Sequence, residues 1–548
     1  MNSYVRSEEI AVEQTFISLI FPSEESRQFH SEGNNLPRIS EEVCQQLGLA
    51  NLLELKSGSL CDFFTADPAV ISYRQKTLSD MHRLPALSQT LGKVVPILCD
   101  ITELRHLDRD RDASSADSYL YSITEIELYT HCIDTLHAGL KDLKGQLESP
   151  AFMGLASYME TLTESDYYKD LNTRLKELSQ RVREVRSITI GVNLDASFRP
   201  TEAGVISLNA DTFKSGKLLD RILRLSFKND AMTCIAPLSP METTRDSETR
   251  REALVSAFRG AMEDVFHTSV KAWRSIVGAY VLQNTDFLLR LLPEIEFVTR
   301  AHALESRLAK VGPLTAATLC PMENKVFDAK GLYNPDVALQ IEDEVVKNDL
   351  AFDDNARIYV LTGPNRGGKS VITCAMGLTQ AMVQLGLSAP AEECAISPVD
   401  GIYTHFPEGA EDTIDKGRLG EECARLKEIF EEVSEHSMIL LDESLSSTGA
   451  FEASYIASEI LTGFAACKCR GIFSTHLHDL AAAIPQINER SRAVGGVAID
   501  TLVAGIEDGR RSFLITRAKP DGKSYARDIA DRYGLSFEEI LRTISEER

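Results

Sequence analysis

The chain has 548 residues, of which 43% are apolar, and it carries a formal net charge of −24 at pH 7. One hydrophobic core rarely organises a chain of this length, so we expect several folded domains. The acidic balance excludes a protein coated all over for phosphate binding, so any nucleic-acid contact must be local. The sequence contains neither a secretion signal nor a run of roughly 18 apolar residues that would span a membrane, which predicts a cytoplasmic protein without a membrane partner.

Two long helical patterns lie in the first half of the chain. Between Asp117 and Leu147, apolar residues recur at steps of three and four, which indicates a long helix with one buried stripe. A second tract of this kind begins at Asp246 and continues without proline as far as Pro293. We therefore expect two long helices that bracket a different segment.

Strand signals appear in two places. Residues 187–194 and 204–210 are rich in β-branched side chains, and the Pro and Gly of the intervening FRPTEAG suit a turn, which predicts two strands in a small insertion. From about Met322 onward, short β-branched runs alternate with helical patterns. This alternation predicts a parallel sheet with helices on its faces.

A glycine-rich stretch in the C-terminal part follows an apolar strand and precedes a helical pattern. Glycines let backbone amides curl around phosphate oxygens, and the N-terminus of the following helix adds a favourable field. In this pattern Lys369 would reach the β and γ phosphates of ATP, and Ser370 would bind Mg²⁺. The predicted nucleotide-binding residues are Gly363, Pro364, Asn365, Arg366, Gly367, Gly368, Lys369, Ser370 and Val371.

Two later strand-like runs end in polar residues. Residues 438–441 are apolar and lead into Asp442 and Glu443, which places two carboxylates at the carboxyl edge of the sheet. Asp442 would hold the Mg²⁺ shell, while Glu443 would polarise the water that attacks the γ-phosphate. The next run delivers His476 to the same edge, where its imidazole would sense the γ-phosphate, although a lone histidine is more often structural. The predicted catalytic residues are Lys369, Glu443 and His476.

These motifs resemble those of the MutS family. TGPNRGGKS is similar to the family's phosphate loop, LLDES to its Walker B strand and STHLHDL to its histidine switch segment. The resemblance implies a mainly helical lever and clamp core followed by an α/β P-loop ATPase domain of the ABC type. The expected divisions are an N-terminal segment at 1–54, a helical core or lever at 55–160, a clamp-like insertion at 161–245, a returning lever at 246–321 and the ATPase domain at 322–548.

The resemblance also implies a homodimer in which two ATPase domains face each other and the levers hold DNA. The clamp would carry a stripe of basic residues at helical spacing, which fits either DNA phosphate contacts or a solvated helix face. These DNA-contact candidates are Lys214, Lys217, Arg221, Arg224 and Lys228.

The sequence departs from the family's pattern in three respects. It begins about where the family's central domain begins, so we expect no canonical mismatch reading, and it has no room after Leu535 for the Smr nuclease domain that one branch of the family carries, so we expect no nuclease activity. Leu419 and Gly420 stand where the family usually has Ser and Thr, which leaves Arg418 as the candidate for contacting the neighbour's γ-phosphate. Arg366 stands where the family commonly has Met.

Two functions from different classes follow. The first is an ATP-switched clamp on duplex or branched DNA in repair or recombination, with a repair protein as a possible partner. The second is a nucleotide-dependent scaffold that binds a protein partner rather than DNA, which the net acidity favours. The ATPase subunit of a membrane transporter shares the P-loop and the two carboxylates, but the sequence lacks the LSGGQ-like stretch that such subunits carry between them.

Overall fold

The computed structural model describes most of the chain, which divides into two compact units. The first takes its described residues from 86–147 and 153–295, and the second takes them from 16–85, 148–152 and 296–548. The described residues are 16–34, 36–56, 58–109, 116–184, 187–194, 196–197, 200–209, 236–238, 286–341, 345–407, 417–507, 510–519, 534–535 and 537–546. None of the helices in these ranges has both the length and the apolar composition that crossing a bilayer requires.

The N-terminal elements belong to the second unit. They are α1 (Glu24–Ser31), α2 (Glu41–Gln46), α3 (Leu49–Leu52), a 3-10 turn (Leu60–Phe63) and α4 (Pro68–Arg83). Helix α4 begins after Asp67, whose carboxylate accepts a hydrogen bond from the Ala69 amide at 2.8 Å and so caps the first turn. Main-chain hydrogen bonds join Arg38 to Asp400 and Ile402 in the C-terminal part of the chain. The described residues of 16–54 are therefore built into this unit, which the sequence patterns did not predict.

Four long helices follow α4. They are α5 (Pro85–Arg109), α6 (Ala116–Lys141), α7 (Pro150–Glu164) and α8 (Asp166–Glu184). Helix α6 lies where the apolar spacing predicts a long helix, and residues of the predicted stripe such as Ile126, Ile133 and Leu140 are buried. The Tyr168 hydroxyl of α8 donates to Asp134 of α6 at 2.8 Å, so a polar contact joins the two helices beside their apolar faces.

A three-stranded antiparallel sheet comes next in the first unit. Strand β1 (Ser187–Leu194) pairs with β2 (Pro200–Asn209), and β3 (Ala236–Leu238) pairs with the other edge of β2. Strand β2 begins at Pro200, inside the segment expected to form a turn. Proline has no amide to donate, but it is tolerated at the first position of a strand. The basic stripe at 214–228 lies outside the described residues.

The second predicted long helix is described only in its last part. Residues 286–308 are helical (α9), and the tract before them lies outside the described residues. The helix continues past Pro293, the residue to which the proline-free helical pattern extends. Pro293 does not break it, although a proline inside a helix normally removes one hydrogen bond.

The rest of the second unit is an α/β fold. Its strands are β4 (Thr318–Leu319), β5 (Phe327–Leu332), β6 (Asn348–Ala351), β7 (Ile358–Thr362), β8 (Glu393–Ile396), β9 (Ile402–His405), β10 (Met438–Asp442), β11 (Arg470–Ser474), β12 (Ile499–Glu507) and β13 (Arg510–Arg517). Its helices are α10 (Pro335–Ile341), α11 (Lys369–Leu385), α12 (Gly417–Glu432), α13 (Ala450–Cys467), α14 (His478–Ala493) and α15 (Phe537–Glu546). The mixed helical and α/β architecture expected from the sequence is confirmed.

The larger sheet has the strand order β13-β12-β7-β11-β10-β9. Its five strands from β12 to β9 run parallel, and β13 closes the edge as an antiparallel strand. All five residues of β7, of β10 and of β11 are buried, as expected for strands covered on both faces. The carboxyl ends of these three neighbouring strands therefore meet at one edge.

Candidate active site

The loop after β7 has a backbone that only glycine adopts comfortably at its two ends. Gly363 has a φ of +141° and Gly368 has a φ of +90°. A Cβ added to Gly363 would lie 2.7 Å from the Cβ of Ala504, so the loop also has no room for a larger residue there. Helix α11 begins directly after Gly368 without a side-chain cap. Its first amides are consequently available to an anion held by the loop.

The ammonium group of Lys369 lies within this loop. It is buried and donates to the carbonyl oxygens of Gly363 at 3.3 Å and Pro364 at 3.2 Å. Burial lowers the pKa of Lys369, while the carboxylates of Glu443 and Asp442 act in the opposite direction. Both hydrogen bonds are long, so the lysine can exchange them for the oxygens of an anionic ligand.

The structure brings the two predicted carboxylates to the same edge. Asp442 is the last residue of β10, only 6% exposed, and its buried Oδ1 has no hydrogen-bond partner among the described residues. A buried carboxylate oxygen without a partner is unfavourable unless a ligand completes it. Ser370 lies in the first turn of α11, beside Lys369. One carboxylate and one hydroxyl fit Mg²⁺, which usually keeps several waters and substrate phosphates as its other ligands.

Glu443 opens a sharp turn that we call the Glu443 elbow, residues 443–445. Glu443 has a φ of +46° and Leu445 has a φ of +66°, both in the left-handed region that disfavours residues with a Cβ. The Glu443 amide donates to the carbonyl of Ser474 on β11 at 2.8 Å. The elbow directs Glu443 to the wall of a cavity beside the glycine loop.

His476 lies two residues beyond β11, between the ends of β7 and β10 in the strand order. Its side chain is exposed, whereas the preceding Ser474 and Thr475 are buried. The Thr475 amide donates to the carbonyl of Leu361 at 2.9 Å, which ties this segment to the strand before the glycine loop. The structure therefore places His476 at the predicted edge without a packing role in the core.

A cavity of about 470 Å³ adjoins the loop. One wall consists of loop and α11 residues together with Glu443, and the rest is mostly apolar. Several lining side chains remain exposed despite their apolar character, namely Ile341, Val346, Val371 and Phe513. Exposed apolar side chains that converge on one cavity are typical of a site for a flat, mostly apolar group.

Phe513 is held in the cavity wall by an unusual backbone. It has a φ of +58°, and its carbonyl accepts a hydrogen bond from the Asn348 side chain at 3.3 Å. Asn348 also accepts from the amide of Ile515 at 2.6 Å, so β6 fixes the middle of β13. A Cβ on Gly368 would lie 3.5 Å from Phe513, which shows how closely the ring approaches the loop.

Of the remaining predicted site residues, the structure describes the side chain of Arg366 but not those of the others. Arg366 has a φ of +61°, is exposed, lines the cavity and makes no hydrogen bond or ion pair with any described residue. Arg418 lies in the first turn of α12, but its side chain is outside the described part. The candidates from Lys214 to Lys228 also lie outside it.

Sequence patterns missed two parts of this region. The apolar cavity wall comes largely from residues that precede the glycine loop and show only a weak apolar alternation, namely Leu332, Tyr333, Val337, Ile341, Val345 and Val346. The second is a buried polar pair, His405 at the end of β9 and Ser444 in the Glu443 elbow, joined by a contact of 2.7 Å between Nδ1 and Oγ. Burial, with a smaller effect of the Arg425 cation, lowers the pKa of His405 to about 4.

Comparisons with known proteins cover both regions of the chain. Residues 359–515 match the family model of MutS domain V, and residues 66–311 match that of the MutS2 N-terminal domain. The first of these matches contains the glycine loop, both carboxylates, His476 and Phe513. The second covers most of the helical region and the small antiparallel sheet.

Among curated proteins, DNA mismatch repair protein Msh6 of Homo sapiens is 33% identical over 163 residues, which are 29% of this chain and 12% of that protein. DNA mismatch repair protein MutS 1 of Haloarcula marismortui is 32% identical over 201 residues, 35% of this chain and 21% of that protein. Endonuclease MutS2 of Thermus thermophilus is 30% identical over 201 residues, which are 36% of this chain and 26% of that protein. The matches thus span about a tenth to a quarter of these relatives. The family matches and the site geometry agree, and the chain belongs to the MutS family.

Proposed function

We propose that this chain is an ATP-dependent DNA-binding protein that hydrolyses ATP to switch a dimeric clamp on duplex or branched DNA in repair or recombination. The observation that carries the proposal is the convergence of Lys369, Asp442 and Glu443 on one sheet edge beside a cavity. The names of the related proteins assign DNA mismatch repair to them, which supports the choice of DNA as partner.

The glycine loop supplies the phosphate site of this proposal. Residues 363–371 surround the phosphates, and Lys369 binds the β and γ phosphates through its ammonium group. Asp442 and Ser370 would hold Mg²⁺, which supplies charge neutralisation at the phosphates. The exposed guanidinium of Arg366 adds a second positive charge at the mouth of the cavity.

Hydrolysis requires a water molecule held in line with the γ-phosphate. Glu443 is the catalytic residue that would polarise this water, because its carboxylate lies on the cavity wall and directly follows Asp442, which would hold the Mg²⁺. His476 lies at the same edge and contacts the γ-phosphate, so it distinguishes ATP from ADP. Both residues follow buried strands, which hold their backbones in fixed positions.

The apolar cavity is the base site in this scheme. Its volume of about 470 Å³ is within the usual range for sites that bind small molecules. Phe513 offers a ring for stacking, and Val346 and Ile341 cover the remaining apolar surface. The adenine of ATP would bury these exposed side chains while its phosphates occupy the glycine loop.

The dimer is supported by an apolar feature near the Glu443 elbow. Phe451 and Tyr455 lie one helical turn apart at the start of α13 and are 85% and 67% exposed. Aromatic side chains this exposed are common at protein interfaces. We assign this surface to a second copy of the chain, with Arg418 as the candidate for reaching the neighbour's γ-phosphate.

A scaffold that binds a protein partner remains the second candidate, because the net charge of −24 opposes binding to a polyanion. The two functions differ in their salt dependence. Phosphate contacts release counterions, so affinity for DNA falls steeply with salt, whereas contacts with a protein need not show this slope.

The test measures binding of purified protein to homoduplex, mismatched duplex, four-way junction and single-stranded DNA over a range of salt, with ATP, with ADP and without nucleotide. The proposal predicts salt-dependent binding to a duplex or branched DNA that changes between ATP and ADP. Binding to none of the DNA substrates under any nucleotide condition would overturn the clamp and leave the scaffold.

A further inference from the structure

The Glu443 elbow is an unfavourable piece of backbone that neighbouring strands must hold in place. Two of its three residues, Glu443 and Leu445, have left-handed φ angles although both carry side chains. Such conformations persist when the surroundings fix them, and they concentrate at functional sites. Because the first of these residues carries the carboxylate on the cavity wall, the groups that hold the elbow also determine where this carboxylate lies.

One side of the elbow is tied to β11 through the backbone. The Glu443 amide donates to the carbonyl of Ser474 at 2.8 Å. This bond fixes the Glu443 nitrogen, and the Glu422 carboxylate accepts a hydrogen bond from the Leu445 amide at the other end of the elbow. A second attachment to a strand lies between these two ends, at Ser444, on the side of the elbow that faces β9.

The pair formed by His405 and Ser444 provides that second attachment. Ser444 donates its hydroxyl proton to the carbonyl of His405 at 3.1 Å, so its oxygen is left to accept from the imidazole Nδ1 at 2.7 Å. His405 is 2% exposed and Ser444 is also buried. The hydrogen bonds assign the Nδ1-protonated neutral tautomer to His405.

The other ring nitrogen of His405 shows that this histidine is not buried simply to satisfy its own hydrogen-bonding groups. Nε2 of His405 is buried and makes no hydrogen bond with any residue in the described ranges, which is an unfavourable arrangement that an apolar residue of similar size would avoid. The imidazole thus contributes one useful hydrogen bond in the described structure, and this bond goes to the residue that follows Glu443.

We propose that His405 is a positioning residue for ATP hydrolysis, which holds the Glu443 carboxylate toward the cavity through its hydrogen bond to Ser444. The inference rests on the proposed ATPase function. His405 does not contact the nucleotide in this account. Its removal should therefore affect the rate of hydrolysis and leave nucleotide binding unchanged.

Three variants separate the effect of losing the hydrogen bond between His405 and Ser444 from the effect of changing side-chain size. His405→Leu keeps a side chain of similar size without the hydrogen bond, His405→Asn retains a donor near the position of Nδ1, and Ser444→Ala removes only the partner hydroxyl. We expect kcat to fall on the order of tenfold to a hundredfold in His405→Leu and Ser444→Ala, because small displacements of a catalytic group have effects of this size. His405→Asn should recover most of the rate, while KM and the affinity for ADP stay within about twofold of the parent.

A double-mutant cycle shows whether the effect passes through Glu443. His405→Leu should lower the residual rate of a Glu443→Gln protein no further, and the His405→Leu, Ser444→Ala double variant should be no slower than the slower single variant. Melting temperatures establish that each variant is folded at the assay temperature.

The outcomes distinguish this inference from the proposed function. An active parent whose kcat is unchanged in both His405→Leu and Ser444→Ala overturns the positioning role alone. So does an equal loss in the Glu443→Gln background. A parent that hydrolyses no ATP overturns the proposed function, and the positioning role with it.

Discussion

The ammonium nitrogen of Lys369 lies 3.3 Å from the carbonyl oxygen of Gly363, six residues earlier, so the phosphate loop closes around its own lysine. The carbonyl oxygens of Gly363 and Pro364 accept hydrogen bonds from the lysine, as phosphate oxygens would in the proposed complex. Binding then requires only that long hydrogen bonds to carbonyls be replaced by shorter ones to phosphate oxygens.

Lys369→Ala should weaken the binding of ATP by about tenfold to a hundredfold, since a hydrogen bond to a charged group contributes about 1.5–3 kcal/mol. Titration with a fluorescent ATP analogue measures the change. Lys347→Ala is a suitable control, because Lys347 forms a partly exposed ion pair with Glu392 in the same unit. Equal affinities of the Lys369→Ala and Lys347→Ala proteins would contradict the assignment.

Gly363→Ala should lower the free energy of unfolding of the second unit by about 1–3 kcal/mol, because the new Cβ meets Ala504 and the backbone is left-handed. Chemical denaturation measures the difference. Gly449→Ala is the matched control, since no described residue other than its chain neighbours comes within 4 Å of its Cβ position and its φ is −65°. A loss of the same size in both variants would show that the close approach to Ala504 has no energetic role.

Phe513→Ala should weaken the binding of ATP and ADP by similar factors, from about fivefold to a hundredfold, because stacking on an aromatic ring contributes about 1–3 kcal/mol per base. The γ-phosphate does not contact Phe513, so the ratio of the two affinities should stay constant. Phe29, on α1, is 47% exposed against 44% for Phe513 and does not line the cavity, which makes Phe29→Ala the control. Unchanged affinity in Phe513→Ala would place the base elsewhere.

The second unit should become less stable as the pH falls from 6.5 toward 4. Burial lowers the pKa of His405 to about 4 in the folded state against an ordinary value of 6.5, so the unfolded state binds more protons in this interval and stability decreases with falling pH. The full contribution is about 3 kcal/mol, at about 1.4 kcal/mol per pH unit. Denaturation of the parent and of His405→Asn at several pH values measures it. If the unfolding free energy changes with pH equally in both proteins, His405 is not the source of the pH dependence.

The sequence predicts those parts of the site that are encoded locally. Strand, glycine loop and helix follow one another within residues 358–385, and each carboxylate or histidine directly follows its own strand. Their meeting at one edge also follows from the parallel order of β7, β11 and β10. The roles of Glu443 and His476 in hydrolysis remain proposals that these positions support.

Contacts between distant segments were not predictable in the same way. Phe513 reaches the glycine loop from a strand some 150 residues later, and Leu47 packs against Gly377, where an added Cβ would lie 2.6 Å from it. Neither pairing leaves a periodic signal in the sequence. The hydrogen bond between His405 and Ser444 likewise depends on β9 and β10 being neighbours, which the strand order alone determines.

The central claim is tested most directly by the rate of ATP hydrolysis of the purified chain with Mg²⁺, with and without duplex and branched DNA, beside the Glu443→Gln protein. We expect a rate of ATP hydrolysis that duplex or branched DNA changes, and a Glu443→Gln protein that binds ATP with undiminished affinity but hydrolyses it at least about a hundredfold more slowly. Equal rates in the two proteins, or the absence of ATP hydrolysis under every condition, would contradict it.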